Sequence, residues 1–231
     1  MQKRNPHVQK LLVPLVILAF AAPALSQSGS EQGGKRQAGR YWLDAEYRRE
    51  VAEYEKTRDA LQQVRALDMV GVKPGMAVGE VGAGNGYYAL KLARRVGPTG
   101  KVYANDIVED FLAELRDRAK EQGFSNIEII LGTETDPRLP AGRLDFVFLV
   151  QVFWHLSKPV EVLDKIAASL KRGARLVLVE NEGGKSLHEG RLVVHTRQYV
   201  LDLIARTRFS VERIDTSLPD PKSVVFVLAL K

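Results

Sequence analysis

With 231 residues, 45% of them hydrophobic and 27% charged, the chain is long enough to bury a full core and reads as one domain rather than two. The formal charge is +6, but Lys3, Arg4 and Lys10 precede any acidic residue and supply half of that excess, so no nucleic-acid partner is expected. There is no cysteine, which excludes disulfides, thiolate metal sites and thiol nucleophiles.

Residues 1–26 have the three parts of an export signal: a basic start, MQKRNPHVQK, an apolar run, LLVPLVILAFAAPAL, and the small residues Ala24 and Ser26 ahead of Gln27. The apolar run is short for a transmembrane span. The expectation is export, to the periplasm, with membrane contact only through this segment; the alternatives are an uncleaved anchor, or a cytoplasmic location if the segment is a misassigned start. Residues 27–40, QSGSEQGGKRQAGR, have the composition of a disordered linker. The domain proper is expected over 41–231, opening with a helical extension over 41–67. There Leu43, Tyr47, Val51 and Tyr54 share one helical face, and Leu61, Val64 and Leu67 follow on a second run. This extension either packs on the core or covers a ligand site as a lid.

From residue 76 the pattern alternates. MAVGEV is a strand candidate, followed by a glycine-rich loop and a helix through YYALKLARRV. KVYAND is a second strand, VEDFLAELRDRAKEQG a helix, and IEIIL a third strand. LDFVFLV, a helix over about 159–170 with Ser157 as a possible cap, and RLVLVE come next. The segment 180–191, ENEGGKSLHEGR, has the glycine content of a loop, with closure over an acceptor as the alternative to a plain surface role. After the helix TRQYVLDLIART, the runs SVERID and SVVFVLAL are joined by the turn-forming SLPDPK and should pair antiparallel. Short apolar strands alternating with helices predict an α/β, doubly wound, mostly parallel seven-stranded sheet with an antiparallel final strand.

The stretch VGEVGAGNGYYALKLARRVG, residues 78–97, sets Gly82, Gly84 and Gly86 at every second position between strand and helix. Such a turn lets a ligand approach the backbone, or serves as a turn alone. A dinucleotide fingerprint needs glycine where Tyr87 stands, and a phosphate-binding P-loop needs a lysine that GNGYY lacks. About twenty residues on, Asp106 ends the second strand, where a carboxylate either accepts the hydroxyls of a ribose or caps the following helix. Glu80 is a carboxylate within an apolar strand end, which is costly unless something cationic or hydrogen-bonded meets it.

VGEVGAGNGYYA, KVYANDI and the stretch LDFVFLVQVFWHLSKPVEVLDKIAASLKRGARLVLVE, in that order, resemble three motifs of the class I S-adenosylmethionine-dependent methyltransferases. The resemblance covers roughly residues 56–231 and extends to a bacterial subgroup of undefined substrate. It implies a Rossmann-like sheet and S-adenosyl-L-methionine as cofactor, with S-adenosyl-L-homocysteine as product. By position, it implies that Glu80 orients the methionyl ammonium and that Gly82, Gly84 and Gly86 admit the cofactor. By the same resemblance, Asp106 would bind the ribose, Ile107 would pack on the adenine, and Thr133 and Glu134 would lie beside the adenine edge. Many relatives have Asp where Thr133 stands. Gln151 is counted with the cofactor contacts and, with Trp154 and His155, is expected at the mouth of the site. The subgroup often has an acidic residue at the position of Gln151 and a second histidine at that of Trp154, so His155 is the retained member of that motif.

His155 is the candidate base, its ordinary pKa lying near 6.5; a histidine that hydrogen-bonds within the fold is the alternative. No metal is expected, because His188 and His195 come without a fixed carboxylate spacing. Two function classes follow: a methyltransferase acting on a small-molecule or lipid-like acceptor, and an exported, non-catalytic binding protein that retains the fold.

Overall fold

The computed structural model describes residues 64–188 and 191–231. The export segment, the linker and all but the end of the helical extension lie outside the described residues. Helix α1, Arg65–Met69, is the described end of that extension and buries Ala66 and Leu67.

The alternation then appears in order: β1 Ala77–Val81, α2 Tyr87–Val96, β2 Lys101–Asp106, α3 Glu109–Glu121, β3 Ile127–Leu131, β4 Leu144–Val150, α4 Pro159–Ser169, β5 Leu170–Asn181. Two short strands, β6 Lys185–His188 and β7 Arg191–Val194, pair with each other apart from the main sheet, and α5 Arg197–Ala205, β8 Phe209–Asp215 and β9 Ser223–Leu230 close the chain. The main sheet has seven strands in the order β3-β2-β1-β4-β5-β9-β8. Its pairs are parallel from β3 to β5, and β9 runs antiparallel to both of its neighbours. The expected doubly wound sheet with one reversed final strand is therefore the observed one.

The central strands carry apolar side chains on both faces because they feed two cores. In β4, Phe148 and Val150 pack on one face while Val147 and Leu149 pack on the other; in β5, Val177 and Val179 alternate with Leu176 and Leu178 in the same way. The first face is covered by α2 and α3 through Tyr88, Leu92, Leu112 and Leu115. The second is covered by α4 and α5 through Leu163, Ile166, Val200 and Ile204. Each such buried side chain stabilises the fold by about 1.5–3 kcal/mol relative to exposure.

Two local expectations are corrected. The residue preceding α4 is Lys158, without a side-chain capping bond, and Ser157 Oγ instead lies 3.5 Å from Glu134 Oε2. Pro159 at the first turn starts the helix, its missing N–H being one that would lack an intrahelical partner anyway. The segment 180–191 is not a plain loop. It carries β6 and the start of β7, whose pairing is extended by bonds from Gly183 N to His195 O (2.9 Å) and from His195 N to Gly184 O (2.8 Å). In α5 the cap is Thr196, whose side chain accepts from Tyr199 N.

Candidate cofactor site

Chain order reverses direction across the sheet between β1 and β4, since β2 and β3 lie on one side of β1 while β4 and β5 lie on the other. In an open α/β sheet the crevice at the carboxyl ends of the strands beside such a switch point is where ligands bind. The glycine loop, Asp106, Gln151 and Glu180 all stand at that edge, at the ends of β1, β2, β4 and β5.

The three loop glycines are not equivalent. All have positive φ, +74° at Gly82, +54° at Gly84 and +93° at Gly86, a region that glycine enters freely. A Cβ on Gly82 would collide with Val152, approaching its Cγ1 to 2.8 Å. A Cβ on Gly86 would collide with Leu115 Cδ1 and lie 3.2 Å from Leu115 Cγ. Nothing lies within 4 Å of a Cβ on Gly84. Gly82 and Gly86 thus allow β1 and α2 to close on the protein's own side chains, and Gly84 alone faces open space. The loop is held by Ala83 N donating to Asn105 O at 2.8 Å and by Arg118 Nη1 donating to Asn85 O at 3.0 Å.

Asp106 is not the cap of α3, whose N-cap is Val108 without a side-chain capping bond; its carboxylate instead gathers backbone amides. Its Oδ1 accepts from Ile107 N (2.7 Å) and Val108 N (3.0 Å), which fixes the entry to α3, and its Oδ2 accepts from Gly84 N (2.8 Å). A carboxylate offers about four lone-pair positions, so one is left, on Oδ2, for a ligand hydroxyl. Burial pushes the Asp106 carboxyl above its ordinary value, against the opposing effect of the bonds from Gly84, Val108 and Ile107. Next to it Ile107 is 51% exposed, an apolar side chain left open at the same edge. Gly132 N donates to Asp106 O at 2.9 Å, bringing the end of β3 alongside. Thr133 and Glu134 follow, both exposed, with Thr133 closing a turn on Asp136 through N to O (2.9 Å) and Asp136 N to Oγ1 (3.0 Å).

Glu80 is 2% exposed near the end of β1, paired in register with Ala104 of β2 and Phe148 of β4. Beyond β4, Gln151 has φ +58°, and its Nε2 is buried without a hydrogen-bond partner among the described residues. A non-glycine residue in the left-handed region costs about 1–2 kcal/mol. His155 ends a single 3-10 turn, Phe153–His155, and is exposed. Trp154 is not at the mouth as expected: it is 4% exposed, stacked on His195 with ring centroids 4.0 Å apart and on Tyr199 at 6.1 Å. The sequence reading also passed over Glu180, a 1% exposed carboxylate whose Oε1 accepts from Val152 N (2.9 Å) and Phe153 N (2.8 Å). Its signal was available, since it ends the apolar run RLVLVE as Glu80 interrupts VGEV. Among the described residues no group of three or more His, Asp or Glu could hold a metal ion, and no helix is long and apolar enough to cross a membrane.

A family model described as a methyltransferase domain matches residues 79–178, from within β1 to within β5. This is a class I S-adenosylmethionine-dependent methyltransferase domain. The methyltransferase domain is 39% identical over 83 residues to nocamycin O-methyltransferase of Saccharothrix syringae, which covers 36% of this chain and 30% of that protein. It is 31% identical over 115 residues to the ubiquinone/menaquinone biosynthesis C-methyltransferase UbiE of Pseudomonas entomophila, covering 49% of this chain and 45% of that protein. The matches thus span less than half the length of either relative. A SAM-dependent methyltransferase structure from Aquifex aeolicus superimposes with a TM-score of 0.64 at 25% identity, over 74% of this chain and 89% of that one. The geranyl diphosphate C-methyltransferase of Streptomyces coelicolor, solved with S-adenosyl-L-homocysteine, shares the fold with a TM-score of 0.64 at 15% identity, over 82% and 85%.

The residues present fit S-adenosylmethionine. The space at Gly84 that a Cβ would enter admits close approach to the backbone, the spare Oδ2 position of Asp106 suits a ribose hydroxyl, and exposed Ile107 offers an apolar surface to a flat base.

Proposed function

We propose that this protein transfers a methyl group from S-adenosylmethionine to a small-molecule or lipid-like acceptor. The observation that carries the reading is the juxtaposition, at the switch point, of the open face of Gly84 with the Asp106 carboxylate and exposed Ile107. When bound, the cofactor supplies a sulfonium methyl group, which passes to a nucleophile while sulfur keeps the bonding electron pair and becomes a thioether.

The protein's own share is alignment and desolvation. Asp106 and Ile107 fix the nucleoside end, and buried Glu80 meets the methionyl ammonium. Gln151 offers a buried amide donor on the β4 side. His155, exposed at the end of its 3-10 turn, takes the proton where the nucleophile carries one. The relatives named above are an O- and a C-methyltransferase, so the class of accepting atom is open to both. Export through the first 26 residues is part of the same proposal, and N-terminal sequencing of the protein from its native host tests it.

Calorimetry on the purified chain should show binding of S-adenosylmethionine and S-adenosylhomocysteine. Label from methyl-tritiated cofactor should then pass into a small-molecule or lipid fraction. No binding of either ligand at millimolar concentration overturns the reading. Binding without transfer to any fraction favours the non-catalytic alternative.

A further inference from the structure

The turn after β4 is an unusual piece of backbone. Gln151 is held at φ +58°, where a side chain is strained, and the strain persists only if the surroundings over-determine it. Three hydrogen bonds do so, and all come from the end of β5. Gln151 N donates to Val179 O at 2.8 Å, and the next two amides, Val152 N and Phe153 N, both donate to Glu180 Oε1 at 2.9 and 2.8 Å. Glu180 is almost wholly removed from water, where a hydrogen bond is stronger and an amide left without an acceptor is costly, so its Oε1 fixes the turn firmly.

The same turn bears on the other half of the site. The Val152 side chain fills the space that a Cβ on Gly82 would need, so the position of Val152 sets how closely the glycine loop meets the β4 side. After it, His155 N donates to Val152 O at 2.8 Å, so the 3-10 turn that carries His155 grows from the residue Glu180 holds. One carboxylate thereby governs Gln151, Val152 and the turn bearing His155.

We propose that Glu180 is a positioning residue: by binding the amides of Val152 and Phe153, it locks Gln151 in its left-handed conformation and seats Val152 against the glycine loop, so that the acceptor-side turn and the cofactor loop keep one geometry. This rests on the reading of the site as a methyl-donor site. A carboxylate that served only to satisfy buried amides would affect stability and leave ligand affinity alone.

The test uses the full chain carrying Trp42→Phe, which leaves Trp154, within the held turn, as the single tryptophan. Glu180→Ala removes the acceptor, whereas Glu180→Gln keeps an oxygen that can take both amides. Trp154 emission and calorimetric affinity for S-adenosylhomocysteine are measured on each. Glu180→Ala should shift Trp154 emission to the red and weaken affinity at least tenfold while the chain stays folded by circular dichroism. Glu180→Gln should stay within about threefold of the parent, with its emission unshifted.

A folded Glu180→Ala with parental emission and affinity overturns the proposal. So does a Glu180→Gln as impaired as the alanine variant, because charge rather than the two amide bonds would then matter. If Glu180→Ala does not fold, Val152→Ala takes its place, and unchanged affinity in that variant overturns the coupling. If the parent binds no S-adenosylhomocysteine, it is the methyl-donor reading that fails. The emission contrast between the alanine and glutamine variants then still decides whether Glu180 holds the turn.

Discussion

Substituting alanine at Gly84 separates a ligand-facing glycine from a packing one. The new Cβ meets no atom within 4 Å, so the loss of stability comes from the backbone alone: φ is +54°, and an L-residue there costs about 1–2 kcal/mol. For a domain of this size that lowers the melting temperature by roughly 2–8 °C. The methyl group also enters the space proposed for the cofactor, and affinity for S-adenosylhomocysteine should fall at least tenfold, about 1.4 kcal/mol. Gly86→Ala inverts the pattern. Its Cβ overlaps Leu115, a fully buried side chain, so overpacking of about 1–3 kcal/mol adds to a similar backbone cost. Thermal unfolding and calorimetry on the two variants read both quantities. The reasoning is refuted if folded Gly84→Ala binds within twofold of the parent, or if Gly86→Ala proves as stable as Gly84→Ala.

Asp106→Ala leaves three backbone amides without their acceptor and should cost about 2–4 kcal/mol in urea unfolding, together with at least a tenfold loss of affinity for the one remaining acceptor position. Because burial raises the Asp106 carboxyl above 3.8, the folded state holds its proton more tightly than the unfolded state. Its contribution to stability is full below the unfolded value and is lost as pH rises through the folded one, while affinity for a hydroxyl donor grows across the same window. Both slopes should be absent in Asp106→Ala, and their persistence would assign them to another group. Gln151→Gly relieves the strain at φ +58° and should raise stability by about 0.5–1 kcal/mol while weakening S-adenosylhomocysteine binding severalfold; unchanged binding would leave the Gln151 amide no part in the site.

Much of the fold is legible because it is written in short-range periodicity. YYALKLARRV, read as a helix, is α2 to the residue, Tyr87–Val96, and LDFVFLV is β4, Leu144–Val150. Where local pattern misled, a partner distant in sequence was responsible. The glycines in ENEGGKSLHEGR suggested a loop, yet Lys185–His188 within it pairs as β6 with β7, Arg191–Val194. Trp154, expected at the mouth of the site, is drawn inward by stacking on His195, forty-one positions later in the chain.

The amino-acid sequence by itself determined the alternation of strands and helices, the loop of three glycines, and a carboxylate at the end of the second strand. Each of these depends on spacing along the chain: period two for strands, 3.6 for helices, and the distance from one strand end to the next. Only the tertiary structure decided that Gly82 and Gly86 face Val152 and Leu115 while Gly84 faces open space. It also gave three of Asp106's acceptor positions to backbone amides, and set Glu180 beneath a turn that begins twenty-nine residues before it. The reason is that what fills the space beside a residue is supplied by side chains and amides from other strands, brought there by the order β3-β2-β1-β4-β5-β9-β8, and no local pattern encodes that order.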